Sequence, residues 1–346
     1  MSVRSKSASV SERILVVGAG AIGGVTAAQL TRAGHDVVVL DANTEHVARL
    51  RAPGLLFDRL GTEHRVVLDA VDRPDRLTGR FDLALVTLKS AHLESALAPL
   101  AARGIVDTYV SLGNGLVQQV VADIVGSDRL LAGIVEWGAT NVAAGHVRQT
   151  TKAPFLVGEV DGRLTPRATR VAEILADAAP GTRATTEIAG GIWTKLLLNS
   201  TFSGLGAIGG GLYGDVADDP VGRRAAFRLW TEGYDVAAAL GVRLDEIFDI
   251  RPSQLVVRTE RDVAAATTAL GVLMARAAPT KASMSQDLER GARTEVDVIN
   301  GGVVRAAERL GRSAPLNREV VAIVHEYEEG IGRPGPAAYR RIADLV

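Results

Sequence analysis

The stretch from Arg13 to Gly24, RILVVGAGAIGG, runs an apolar strand straight into Gly18-Ala19-Gly20-Ala21-Ile22-Gly23 and on into the helix-forming VTAAQLTRAG. Few folds admit such a junction. Gly18 permits the tight turn, Gly20 offers bare backbone to an approaching ligand, and Gly23 lets the helix close on the strand. The N-terminus of that helix combines unpaired N–H groups with the positive end of a dipole, which is a place for phosphate. A second apolar strand, DVVVL, ends in Asp41, roughly 20 residues beyond Gly20, where an acid accepts the adenosine ribose hydroxyls of a dinucleotide. Gly18, Ala19, Gly20, Ala21, Ile22, Gly23 and Asp41 are therefore the candidate cofactor contacts. Ala42-Asn43-Thr44-Glu45 follows without a Lys or Arg to receive a 2′-phosphate, so NAD is favoured over NADP. A local alternative for Asp41 is a cap on the next helix, shared with Asn43 or Thr44.

At 346 residues, 47% hydrophobic and 23% charged, the chain has material for two buried cores. A net charge of −1 supplies no basic field for nucleic acid. The absence of Cys excludes disulfides and thiolate catalysis, and the six His show no metal-ligand spacing, so no metal is expected. No apolar run is long enough for a membrane span. Residues 1–12 are mostly polar and Ser-rich, and read as a flexible tail with no secretion signal; the expected location is the cytoplasm.

Between 13 and 186, short apolar runs alternate with helical stretches, which predicts an α/β domain built on a doubly wound parallel sheet. The strand candidates are ILVVG, DVVVL, HRVVL, FDLALVTL, TYVSL, RLLAGIV, HVRQT, FLVGE and RATTE, and the close spacing of the later ones suggests an antiparallel extension. From 187 to 346 strand signals nearly vanish. Helices are expected over 188–203, 220–240, 244–263, 289–310 and 318–329, giving an all-α second domain.

Four segments carry candidate chemistry. Lys89 follows a buried-looking strand, and Asn114, between Gly113 and Gly115, follows another; both loops fall at the carboxyl edge of the sheet, where ligands bind. Either residue also suits a plain local role, Lys89 as a solvated charge and Asn114 as a turn former. In GGIWTKLLLN, Lys195 and Asn199 share one helix face within an apolar stretch. A desolvated lysine loses proton affinity, which suits it to protonate a carbonyl oxygen; a snorkelling lysine is the alternative. In KASMSQDLERGARTE, Ser283 looks like an N-cap with Gln286 at the capping-box position, and Glu295 fits an exposed helix charge as well as a functional role.

Taken together, GAGAIGG, LGNGL around Asn114, GATNVAAGHVRQT, KLLLN and SMSQDLERGARTEVDVINGGVV resemble the ketopantoate reductase family over almost the whole chain. The resemblance implies an N-terminal Rossmann domain, a helical C-terminal domain and an active site in the cleft between them, where a nicotinamide cofactor reduces a 2-oxo acid. It implies Lys195 as general acid, Asn199 and Ser283 as substrate contacts, and Glu295 near the nicotinamide ribose and the substrate. Asn114, Lys89 and Ala139 would touch the cofactor. The chain departs from the family pattern at Ser203 and Tyr213, which stand where substrate-binding asparagines are usual and are expected, like Asn114, among the substrate contacts, with Tyr213 lining a pocket for a more apolar side chain; it departs also at Gly204, where Pro is common, and at Ala42, where a basic residue is usual. These departures point to NAD and to a 2-oxo acid other than ketopantoate, with an authentic ketopantoate reductase as the alternative. An NAD-binding redox sensor without turnover is the alternative outside enzymes, and a homodimer through the helical domain is expected.

Overall fold

The computed structural model describes residues 12–345, so most of the expected tail lies outside the described residues. Its last residue, Glu12, pairs with Arg170. Two compact units divide the chain: 1–113 with 118–188, and 114–117 with 189–346.

The first unit is α/β. Its main sheet contains β1 (Arg13–Val17), β2 (Asp36–Leu40), β5 (Asp69–Val71), β6 (Phe81–Val86), β7 (Val106–Ser111), β8 (Leu130–Val135), β11 (Phe155–Gly158) and β12 (Arg183–Ala184). The order is β12-β11-β8-β7-β6-β1-β2-β5. All neighbours run parallel except β8 and β11, the antiparallel extension anticipated from the spacing. Helices α1 (Ala21–Arg32), α2 (Thr44–Arg49), α3 (Leu93–Arg103), α4 (Val117–Val125) and α5 (Pro166–Ala178) connect the strands. Burial of Ile14, Val16, Val39, Leu83, Leu85 and Val110 makes the sheet core, as near-continuous apolar strands require.

A second sheet was not anticipated. β3 (Leu55–Arg59), β4 (Thr62–Val66), β9 (Ala139–Ala143) and β10 (His146–Gln149) pair in the order β4-β3-β10-β9. HRVVL and HVRQT therefore contribute to this sheet instead of the main one. β9 lacks any apolar alternation, with residues 140–143 exposed, so its sequence carries no strand signal.

The second unit is helical: α6 (Ile188–Leu198), α7 (Gly204–Gly209), α8 (Tyr213–Asp218), α9 (Pro220–Ala239), α10 (Glu260–Ala277), α11 (Ser283–Glu289), α12 (Asn300–Arg309), α13 (Pro315–Glu328) and α14 (Tyr339–Ala343). Three expectations need correction. The helix expected over 188–203 stops at Leu198 and passes through a π turn, Asn199–Ser203, before α7. No helix spans 244–263. Phe248 and Asp249 take positive φ, Pro252 opens only a short 3-10 turn, and α10 starts where Asp262 bonds the Thr259 N–H. The helix expected over 289–310 is interrupted: Gly291 at φ +64° ends α11, and residues 290–299 form a turn before α12.

Candidate active site

The glycine loop is held from behind by four bonds. Gly18 N–H donates to Leu40 O at 2.8 Å, and the Thr87 hydroxyl donates to Gly18 O at 2.6 Å. Ala19 N–H donates to Asp41 Oδ2 at 2.7 Å, and His46 Nε2 lies 2.9 Å from Ala19 O. A Cβ on Gly23 would lie 1.9 Å from Gly18 O, so only glycine fits there. A Cβ on Gly20 would meet nothing within 4 Å. Gly20 is the N-cap of α1, which has no side-chain cap and no acid in its first turn. Partly exposed Gly20, Ala21 and Ile22 thus present an open, uncapped helix N-terminus, which fits a pyrophosphate.

Beside this loop a cavity of about 680 Å³ is lined by Val17, Leu40, Asp41, Asn43, Asp72, Leu88 and His92, among others. Its size and mixed lining suit an adenosine. Asp41 is partly exposed there, and its second oxygen accepts Asn43 N–H at 2.9 Å. Asn43, not Asp41, caps α2, accepting His46 N–H at 3.0 Å. Asp72 bonds Arg76 at 2.6 Å. Lys89 is exposed just beyond β6, and Ala139 opens β9, partly packed on the core.

In the helical unit, α6 buries Trp193, Thr194, Leu196 and Leu197, leaving Ile192, Lys195 and Asn199 half-buried on one face. The Thr194 hydroxyl accepts Asp245 N–H at 2.9 Å, and Gly190 allows Arg243 O to approach the same helix. These contacts fix the rotation of α6 and hence the direction of Lys195. The π turn beginning at Asn199 is anchored by Asn300, whose amide donates to Ser200 O at 2.8 Å and to Asn317 Oδ1 at 2.9 Å. Local widening of a helix of this kind recurs at functional sites.

Asn114 and Glu295 are brought together: Asn114 Nδ2 donates to Glu295 Oε2 at 3.1 Å. Gly115, at φ +70°, lets Val298 O come within 2.2 Å of where a Cβ would be, and Leu116 N–H donates to Val298 O at 2.9 Å. Glu295 is buried on the 290–299 turn, so it is no exposed helix charge. The turn is braced by Glu328, which accepts Thr294 N–H at 2.7 Å and pairs with Arg293. His325 bridges Glu328 and Asp297, each at 3.0 Å. Burial opposes protonation of His325, but its bonds to the two carboxylates outweigh that and raise its pKa. Burial also disfavours the Glu328 carboxylate, yet hydrogen bonds from Thr294 and His325 bring its pKa down.

Ser283 is exposed as the first residue of α11 and is not its cap; Ala282 holds that place, and its carbonyl accepts Gln286 N–H. Ser203 and Tyr213 depart furthest from expectation. Both are buried, and their hydroxyl oxygens lie 2.5 Å apart, with the Tyr213 ring against Phe202. The two hydroxyls bond each other inside the core, one donating and the other accepting. Burial pushes the Tyr213 hydroxyl pKa up.

The family model for ketopantoate reductase PanE/ApbA matches residues 14–162, and its C-terminal counterpart matches 187–328. A 2-dehydropantoate 2-reductase of Archaeoglobus fulgidus is 31% identical over 92% of this chain and 99% of its own length. The chain belongs to the ketopantoate reductase family. As a member of that family it is an oxidoreductase that works with a pyridine nucleotide on a 2-oxo acid. The crystal structure of the PanE/ApbA family ketopantoate reductase from Ralstonia eutropha JMP134 superposes with a TM-score of 0.77 at 26% identity, covering 92% of this chain and 99% of the other. D-mandelate dehydrogenase, solved with NADH and anilino(oxo)acetate, has a TM-score of 0.78 at 21% identity and the same coverage, which establishes likeness of fold.

His46, Thr87 and Asp72 escaped the sequence reading. A threonine just past a strand, or an acid near a turn, gives no local signal of this kind. His46 follows a legible cap residue, but its partners are far away in sequence.

Proposed function

We propose that this ketopantoate reductase family member reduces a 2-oxo acid to the 2-hydroxy acid with NADH, or runs the reverse oxidation, with Lys195 as the acid–base group. One observation carries the choice of cofactor: among the described residues, the acids Asp41 and Asp72 line the cavity beside the glycine loop and no Lys or Arg does. An acid at the end of β2 accepts ribose hydroxyls and repels a 2′-phosphate. Bound nicotinamide supplies the hydride. Lys195 gives a proton to the substrate carbonyl oxygen, so that the alkoxide is never left unneutralised. Asn199 and Ser283 hold the substrate, and Asn114, braced on Glu295, contacts the nicotinamide side together with Lys89 and Ala139.

Substrate choice follows from the buried Ser203–Tyr213 pair. Buried and bonded to each other, these two side chains offer a substrate hydroxyl less than two asparagine amides would, and a 2-oxo acid with a branched or aromatic apolar side chain is favoured over ketopantoate. Reduction of ketopantoate itself is the second reading, favoured by the name of the Archaeoglobus relative. Assembly as a homodimer through the helical unit is part of the proposal, and light scattering reads it directly. Oxidation of NADH and NADPH against a panel of 2-oxo acids tests the rest. NADH with an apolar 2-oxo acid should give the highest kcat/KM. A clear optimum on ketopantoate favours the second reading, and cofactor binding without turnover on any acid favours a redox sensor.

A further inference from the structure

The geometry points to His46 as the residue that positions the phosphate loop for its dinucleotide. His46 is 3% exposed, lies on α2 and does not line the adenosine-sized cavity. Its two ring nitrogens reach in opposite directions. Nδ1 faces Gly145 N at 2.8 Å, and Nε2 faces Ala19 O at 2.9 Å. A backbone N–H can only donate and a carbonyl can only accept, so both contacts are met by one species, the neutral ring protonated at Nε2. Gly145 is the turn before β10, and its own carbonyl accepts Leu56 N–H from β3. His46 therefore ties the glycine loop to the second sheet.

The consequence falls on Ala19. Its N–H is held by Asp41 and its C=O by His46, so the residue between the first two fingerprint glycines is fixed at both ends. Gly18 before it is held by Leu40 O and the Thr87 hydroxyl, and Gly20 after it keeps the rotational freedom of a residue without a Cβ. With Ala19 O held inward, the N–H groups that follow at the start of α1 keep the direction a pyrophosphate requires. His46 is a positioning residue for cofactor binding, at a distance from the chemistry of Lys195. The inference rests on the dinucleotide-binding half of the proposed function.

Two near-isosteric substitutions separate this role from bulk stability. His46→Gln places an amide N–H near the Nε2 position and keeps the donor to Ala19 O, while His46→Asn keeps an acceptor for Gly145 and loses that donor. NADH affinity of the full chain is measured by calorimetry, with thermal unfolding on the same samples. Affinity in the Gln variant is expected within threefold of wild type, and in the Asn variant about tenfold or more weaker, with kcat at saturating NADH within twofold in both. Affinity unchanged in the Asn variant, or lowered equally in both variants in step with their unfolding temperatures, overturns the role. Should either variant fail to fold, ¹⁵N spectra of the wild-type imidazole decide: a ring protonated at Nε2 whose signal moves on NADH addition supports it. The other tautomer, or a signal indifferent to NADH, overturns it. Wild-type protein that binds neither NADH nor NADPH removes the proposed function itself, and the His46 role with it.

Discussion

Replacing Asp41 with Asn deletes one charge beside the adenosine cavity while leaving a side-chain oxygen able to accept from Ala19 N–H or Asn43 N–H. Asp41→Ala would confound the two effects by freeing the loop. Two unit charges 4 Å apart interact by about 4 kcal/mol at an effective dielectric of 20. Asp41 is partly exposed, and charges in 0.15 M salt are screened over about 8 Å, so roughly a third of that should survive. About 1.4 kcal/mol corresponds to a tenfold preference for NADH over NADPH in kcat/KM. In the Asn variant the ratio should fall to about threefold or less, through both a gain with NADPH and a loss with NADH. The assay is steady-state kcat/KM for each cofactor at low and high salt. Salt should narrow the wild-type ratio and leave that of the variant nearly unchanged. A wild type that uses both cofactors equally, or an Asn variant with the wild-type ratio, would refute the electrostatic argument.

Two further perturbations address the helical unit. Gly115→Ala forces a side chain into a positive φ and against Val298 O, and should lower stability by about 2 kcal/mol or more while loosening the Asn114–Glu295 bond; an unfolding temperature and KM equal to wild type would show that the loop is not docked in solution. The raised pKa of His325 means its bridge contributes fully below the ordinary value of 6.5 and is lost as pH rises through the higher folded value. For Glu328, lowered from 4.5, the contribution is present above that value and is lost as pH falls through the folded one. The stability difference between wild type and His325→Gln should accordingly be larger near pH 5.5 than near pH 8.5, and a difference independent of pH would contradict the bridge.

The strand-glycine-helix junction and Asp41 were legible because their chemistry is local: spacing alone sets the turn, the helix start and the acid. The helical unit was legible as a class for a similar reason, from the loss of strand signals after 187. Its element ends were not. Leu244, Ile247 and Ile250 recur at helical intervals, but the positive φ at Phe248 and Asp249 makes that segment an irregular strap instead. β9 was invisible because an exposed edge strand needs no apolar face. In the candidate site, Lys195 and Asn199 could be paired by helix geometry, whereas the bond between Asn114 and Glu295 depends on folding that joins residues far apart in sequence. Ser203 and Tyr213 were noticed singly as departures from a pattern. Their bond to each other, formed between a π turn and the start of α8, likewise depends on the fold.

In the proposed reaction Lys195 exchanges the proton during hydride transfer while the glycine loop binds the dinucleotide independently. Its most direct test pairs steady-state rates with calorimetric NADH binding on the same preparation of Lys195→Ala. A loss of roughly 10² to 10⁴ in kcat is expected, the usual worth of one positioned acid, with NADH affinity within about threefold of wild type. Lys195→Arg should fail almost as badly, because guanidinium keeps its proton and its planar fork does not match an ammonium donor. Near-normal turnover in the Ala variant would remove Lys195 from the chemistry and leave it a structural residue.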